Sequence, residues 1–185
     1  MDSNKLFGQF PVLGSDAIVL RKIVEDDADS LFEIYSNDAV FTFCGIIPKK
    51  NIEFVRKMVT HFERDYKKQK RVKWGICQKT DAAKIVGVME VFNVKRRANM
   101  VTIGYFLNER FWNRGIATEA VRILVNYLLD EVGVRRIIAE VMPQNKYSKR
   151  VLEKNSFTKH GTTRDKWSGK GVVDLEVYNV HKMNV

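Results

Sequence analysis

An α/β fold on a mixed sheet is predicted by three observations. Segments with the alternation of a strand and segments with the i, i+3, i+4 spacing of a helix follow one another in a fixed order: strand, helix, helix, three strands, helix, strand, helix, two strands. The three consecutive strands, and the two at the end, have no helix between them, so they cannot all run parallel. No internal repeat and no Gly/Ser- or Pro-rich linker interrupts the 185 residues, a length that one hydrophobic core serves; residues 1–185 are read as a single domain.

Taken in order, residues 17–23 (AIVLRKI) form the first strand. Glu25, Asp26 and Asp27 open a helix where negative charge suits the N-terminal dipole, with Ala28, Leu31, Phe32 and Tyr35 as its apolar stripe. A second helix over 51–69 carries Ile52, Val55, Val59, Phe62 and Tyr66 and ends in the basic run KKQKR. Val72, Trp74 and Ile76 then alternate with Arg71, Lys73 and Gly75, and 84–94 and 100–107 are two further runs rich in β-branched and aromatic residues. A polar loop leads into a helix with Ala117, Val121, Leu124, Val125 and Leu128 on one face, stopped at Gly133. A strand over Arg136–Met142, a helix over Asn145–Asn155, and two strands, Phe157–Gly161 and Val172–Val180, complete the chain, the last two joined around Trp167–Gly169.

Composition narrows the function classes. At 45% hydrophobic and 29% charged residues the chain is too apolar to be disordered. It has no apolar run near the roughly 18 residues of a membrane span, and its start, MDSNKLFGQF, lacks the build of a secretory signal. Two cysteines, Cys44 and Cys77, make no disulfide framework, so a cytoplasmic location is expected. His61, His160 and His181 are scattered without ligand spacing, and no metal is expected. The formal charge of +10 raises a nucleic-acid reading, but aromatic and basic residues are not interleaved as in a nucleic-acid motif.

Two segments carry chemistry. In RFWNRGIATEA (110–120) a strand ends in the loop Asn113-Arg114-Gly115 and a helix begins at once. The free N–H groups of a first helical turn, with a glycine allowing close approach and Arg114 beside it, cradle an anion such as a phosphate. The same residues also fit a plain helix start with an exposed arginine. In MPQNKYSKRVLEKNSF (142–157), Asn145 suits an N-cap, and Ser148 shares the inward face with Val151 and Leu152. A hydroxyl there is either a satisfied core group or a working one. Glu90, in the apolar strand VGVMEVF, points to solvent, pairs with an arginine, or lies buried with its pKa raised.

Together these segments resemble the GNAT acyltransferase superfamily. FWNRGIATEA looks like its acetyl-coenzyme A signature, with Trp112 at the place of the usual Gln or Arg and Gly115 and Ala117 at the last two places. NKYSKRVLEKNSF is similar to its next helix, with Asn155-Ser156 where Leu-Gly is usual. LRKIVEDDADSLFEIYSN and IGYFL (103–107) resemble the first strand and helix, and the fourth strand, of the RimJ/RimL-type ribosomal-protein N-terminal acetyltransferases. The resemblance implies a central twisted mixed sheet of about seven strands flanked by about four helices. It also implies that the strand ending Tyr105-Phe106-Leu107 splays from Arg136–Met142. Phe106, Leu107 and Asn145 would then hold the pantetheine arm of acetyl-coenzyme A. The N–H groups of Arg114, Gly115, Ile116, Ala117 and Thr118 would hold its pyrophosphate, and Ser148 would protonate the departing thiolate. Asn155 is expected to take the left-handed conformation that ends the helix.

The branch's frequent Glu before Ile103-Gly104-Tyr105 is Thr102 here, so Glu90, Asp165 in the loop before the last strand, or water takes the amine's proton. Phe41 and Phe43 in the 39–48 loop and Trp167 in the final hairpin are expected to line an acceptor cleft. The implied reaction is acetyl transfer to a primary amine, such as the N-terminal α-amine of a ribosomal protein, in association with the ribosome. A small-molecule or antibiotic amine is the rival acceptor. A non-catalytic RNA- or ribosome-binding module is the rival class.

Overall fold

The computed structural model describes residues 1–182. Eight strands form one sheet: β1 (Leu13–Gly14), β2 (Ile18–Lys22), β3 (Val72–Gln78), β4 (Asp81–Lys95), β5 (Met100–Leu107), β6 (Arg136–Val141), β7 (Thr158–Trp167) and β8 (Gly171–His181). Their order is β1-β2-β3-β4-β5-β6-β8-β7, and every neighbouring pair is antiparallel except β5–β6. Five α-helices, α1 (Ser3–Phe7), α2 (Ala28–Tyr35), α3 (Ile52–Lys67), α4 (Ile116–Asn126) and α5 (Lys146–Glu153), pack around it.

The alternation of side chains along each strand divides the core in two. Met89, Val91, Val101, Ile103 and Leu107 pack on one side with α1, α4 and α5. Val88 and Phe106 pack on the other with α2, α3 and Phe41 of the following loop. The sheet has eight strands where about seven are expected, because β1 pairs only two residues with β2 and has no periodicity to read. The unexpected helix α1 is five residues long. It forms because Asp2 accepts hydrogen bonds from the Asn4 and Lys5 N–H groups (2.9 and 3.2 Å) and because Leu6 and Phe7 are buried beneath it.

Three local expectations are corrected. Glu25–Asp27 form a 3₁₀ turn before α2 rather than its first turn. The left-handed residue ending α5 is Ser156 (φ 63°), not Asn155; the Asn155 amide instead donates to the carbonyls of Thr118 (3.1 Å) and Val151 (2.8 Å), tying α5 to α4. The strand expected over Phe157–Gly161 runs on to Trp167, so Asp165 is a strand residue opposite Val173, held by the β8 ladder rather than by an apolar pattern.

The turn into α2 is fixed by a buried ion pair. The Asp27 carboxylate, 4% exposed, takes the Arg21 guanidinium in a two-pronged contact (2.7 and 2.9 Å) and the Val24 N–H (2.7 Å). The same guanidinium donates to the carbonyls of Ala82 and Ala83 at the start of β4 (2.9 Å each). One side chain therefore ties β2, the first residues of β4 and the start of α2 together. Asp27→Ala leaves this cation half-buried without its anion and is expected to cost about 3 kcal/mol. Urea unfolding checks it: the midpoint falls while the slope stays constant.

Candidate active site

The site begins where pairing stops. β5 and β6 are in register only at Met100–Arg136, Val101–Ile137 and Thr102–Ile138; beyond these the strands part, as expected. Which backbone groups face the opening follows from the other neighbour. The Asn108 N–H donates to the Val86 carbonyl (2.8 Å), which makes Val86–Asn108 a hydrogen-bonded pair in the β4–β5 register. Such pairs alternate along an antiparallel ladder, so Phe106 and Gly104 are bonded to Val88 and Glu90. Ile103, Tyr105 and Leu107 turn the other way, into the seam. The expectation that the Phe106 backbone lines the seam is thus corrected: its N–H and C=O belong to the β4 ladder. At Leu107 only the N–H is free, because the Trp112 indole donates to its carbonyl at 3.0 Å.

The same indole bond anchors the loop that leads to α4. Asn113 and Gly115 both hold positive φ (59° and 78°), and Gly115 is the N-cap of α4. The first α-helical bond closes from the Glu119 N–H to the Gly115 carbonyl (3.0 Å), so the N–H groups of Ile116, Ala117 and Thr118 have no helical acceptor. A Cβ on Gly115 meets nothing within 4 Å. This is an open cradle of N–H groups at the positive end of a helix. The Arg114 guanidinium lies over the Phe111 ring (5.3 Å) and makes no ion pair among the described residues, so its charge is available to an anion there.

On the α5 side of the sheet, Asn145 is the N-cap and accepts from the Ser148 N–H (3.1 Å). The Ser148 Oγ lies 2.9 Å from the Tyr105 hydroxyl, which is also 3.2 Å from the Ser148 carbonyl. Burial pushes the Tyr105 phenol well above its ordinary pKa, so it stays protonated. A phenol that donates to Oγ leaves the serine proton free to be given elsewhere. The side chain of Tyr105 was not legible as functional. In sequence it is one more aromatic in a strand, and its partner lies on a helix more than forty residues away.

On the α2/α3 side, Glu90 is opposite Gly104 in β5 and opposite Lys73 in β3. Its Oε2 pairs with Lys73 Nζ (2.6 Å) and Arg71 (3.2 Å). Its Oε1 lies 3.2 Å from where a Gly104 Cβ would stand and takes no hydrogen bond among the described residues. Burial pushes the carboxyl up, but the charges of Lys73 and then Arg71 outweigh it, and the group ends below the usual carboxylate range. Of the three readings open for Glu90, the structure shows the pairing with an arginine, joined by Lys73; the carboxyl is buried, but its pKa is lowered rather than raised.

Next to it, Tyr35 is 1% exposed, stacked on Phe41 (ring centroids 5.5 Å) and edge-on to Phe106 (5.4 Å). Its hydroxyl is buried and has no partner among the described residues. The charge of Glu90 adds to burial in pushing its pKa, and that of Cys44, up. Phe41, expected as cleft surface, is 2% exposed and belongs to this core. Trp167 closes on Gly45, where a Cβ would stand 3.0 Å from the indole, and Lys170 Nζ bonds the carbonyls of Phe41 and Thr42. The final hairpin and the 39–48 loop are therefore one wall. Asp165 faces solvent, accepting from its neighbour Trp167 (3.1 Å).

The sequence profile of the acetyltransferase (GNAT) domain matches residues 17–158. The uncharacterized N-acetyltransferase YoaA of Bacillus subtilis is 30% identical over 174 residues, covering 94% of this chain and 98% of its own. The [ribosomal protein uS5]-alanine N-acetyltransferase of Escherichia coli is 30% identical over 86 residues, covering 46% of this chain and 44% of its own. Among solved structures, Mycobacterium smegmatis RimJ in complex with CoA-disulfide superposes with a TM-score of 0.82 at 18% identity, covering 94% of this chain and 88% of that one.

Two substitutions test the α2/α3 side of the site. In the native protein a depressed Glu90 pKa contributes stability above the unfolded value of about 4.3, and that contribution is lost as pH falls through the folded value. Lys73→Met leaves burial dominant and raises the carboxyl. The variant is expected to be about 3 kcal/mol less stable at pH 7, with a deficit that shrinks toward pH 4. Urea unfolding at a series of pH values reads it, and a pH-independent deficit contradicts it. Tyr35→Phe removes an unsatisfied buried hydroxyl, so the melting temperature is expected to rise, by about 1 kcal/mol in stability.

Proposed function

From membership of the GNAT acetyltransferase family, which makes this chain an acetyl-coenzyme A-dependent N-acetyltransferase, we propose that its acceptor is the N-terminal α-amine of a protein. The cradle fits the pyrophosphate, with the N–H groups from Arg114 to Thr118 as donors and the Arg114 guanidinium beside them. The seam fits the pantetheine arm. Ile103, Tyr105 and the Leu107 N–H offer backbone partners to its amides, with Asn145 at the far side, and one N–H polarises the carbonyl that becomes an oxyanion. Bound there, acetyl-coenzyme A supplies the activated acetyl group.

Ser148 Oγ gives its proton to the leaving sulfur, and the Tyr105 hydroxyl, 2.9 Å away and still protonated, holds Oγ in place. Glu90 Oε1, turned over Gly104 on the opposite face, attracts and orients the amine. Its Oε2 stays with Lys73 and Arg71.

The observation that supports the acceptor class is the state of Glu90. A carboxylate held below its usual range is a weak base, adequate for an α-amine whose pKa is about 8 but poorly matched to an alkyl amine near 10.4. The partial likeness to the uS5-alanine enzyme agrees with this reading, and the cytoplasm, where nascent chains and acetyl-coenzyme A meet, is the location it requires.

Thiol release from acetyl-coenzyme A is the direct test, with a peptide bearing a free N-terminus set against an aliphatic diamine and an aminoglycoside. The peptide is expected to be the preferred substrate at pH 7.5; preference for either small amine overturns the acceptor. Ser148→Ala is expected to lower kcat about 100-fold and Tyr105→Phe about 10-fold, with KM for acetyl-coenzyme A little changed.

A further inference from the structure

Two surface hollows meet at Pro48 and form a trough whose outer part has no assigned occupant. Its inner hollow, about 290 Å³, lies between the 39–48 loop and the β7–β8 turn and includes Phe41, Ile46, Ile47 and Lys170. Phe41 forms its inner end and touches the rings of Tyr35 and Phe106 (5.5 and 5.1 Å). Pro48 borders this hollow and also a second one, about 400 Å³, along the outer face of α3.

The outer hollow exists because α3 has two apolar stripes. Val55 and Val59 face the core. Phe54 and Met58, four residues apart, line the outer hollow; Met58 is partly buried against the core, whereas Phe54 is 59% exposed, as Ile47 nearby is 51%. Around this apolar floor stand Lys49, Lys57 and His61, and no carboxylate lines it. Lys50 is drawn off by Asp38 (2.9 Å), but Lys49 and Lys57 make no ion pair among the described residues. Exposed large apolar side chains ringed by unneutralised cations suit a partner that is itself apolar and acidic. A single-stranded nucleic acid would want a run of stacking faces; this floor has one aromatic ring between a proline and a methionine.

We infer that the outer hollow docks the acceptor polypeptide beyond its first residues: an acidic stretch with an apolar side chain lies over Phe54 and Met58 between Lys49 and Lys57. This rests on the α-amine reading above and narrows it, because the enzyme then selects proteins by sequence downstream of the acetylated residue. Charge and contact in the outer hollow act on binding and leave the chemistry at Ser148 untouched.

Three acceptors with the same first three residues separate the possibilities: a tripeptide amide, a 12-residue peptide with Asp, Glu and Leu downstream, and the same peptide with Lys in place of the acids. Wild-type protein is expected to show the lowest KM with the acidic peptide. In Phe54→Ser/Lys57→Glu, both surface positions, that KM is expected to rise about tenfold with kcat constant, while the tripeptide is unaffected. Equal KM values for the acidic and basic peptides, or a variant indistinguishable from wild type on the acidic one, overturn the proposal.

Fluorescence anisotropy of the labelled peptides, with coenzyme A present, separates this failure from that of the acceptor reading. Binding of the acidic peptide that the double variant loses, without turnover, upholds the trough and removes the α-amine assignment. Turnover without dependence on the downstream sequence does the reverse. A poly(U) oligonucleotide that displaces the acidic peptide at physiological salt and loses affinity in the double variant assigns the hollow to RNA and overturns the proposal.

Discussion

Everything chemical in this molecule depends on two strands that cannot stay paired. β5 and β6 are the one parallel couple in the sheet and keep register for three residues. Each is held on its other edge by a long antiparallel ladder, β5 by β4 from Phe92–Thr102 to Gly87–Leu107 and β6 by β8 over all six residues. Opening the seam therefore breaks neither half of the sheet. It does leave the Ile103 carbonyl, both backbone groups of Tyr105 and the Leu107 N–H facing a gap, and backbone polar groups of that kind demand partners. A ligand with amides along its length, as proposed above, would meet that demand through backbone rather than through particular side chains.

The alternation of a strand then separates the work of the two reactants. Tyr105 and Ser148 stand on the α5 side of β5, where the proposed mechanism puts the leaving group. Glu90, packed over Gly104, stands on the α2/α3 side, where it puts the amine. Gly104 is what makes this crossing point thin. A Cβ there would lie 3.2 Å from the Glu90 carboxylate, and any larger residue would push it away from the seam. The acid and the carboxylate are close through the sheet but act on opposite faces, so they do not compete for one proton.

The parts of this arrangement legible in the sequence are those carried by local pattern. The Asn113–Ala120 loop and helix start, the Asn145 cap and the position of Ser148 all depend on residues within one turn of each other. Lys73 shows why other parts were not legible. Beside Val72, Trp74 and Ile76 it has the spacing of a solvent-facing residue, yet it is 8% exposed. Both faces of β3 are covered, and the β3–β4 register sets Lys73 directly opposite Glu90. Burial and pairing there come from a cross-strand neighbour, and a single strand's periodicity holds no information about its neighbour's register. The same reasoning covers Phe106: sequence places it at the strand end, but only the ladder to β4 says which way its backbone points.

Three departures from ordinary folding rules lie where these two problems meet. A lysine and a glutamate share a buried place, a tyrosine hydroxyl has no partner, and Asn113 holds a left-handed conformation two residues before a glycine that does the same. Each lowers stability relative to an apolar or relaxed alternative. Such departures are not confined to this place: Gln69, Asn93, Asn99 and Ser156 also hold positive φ, and the Asn99 Oδ1 is a second buried polar atom without a partner among the described residues. Of the first three, the Tyr35 hydroxyl is the clearest instance. A phenylalanine there would avoid the cost of burying a hydroxyl that has no partner among the described residues.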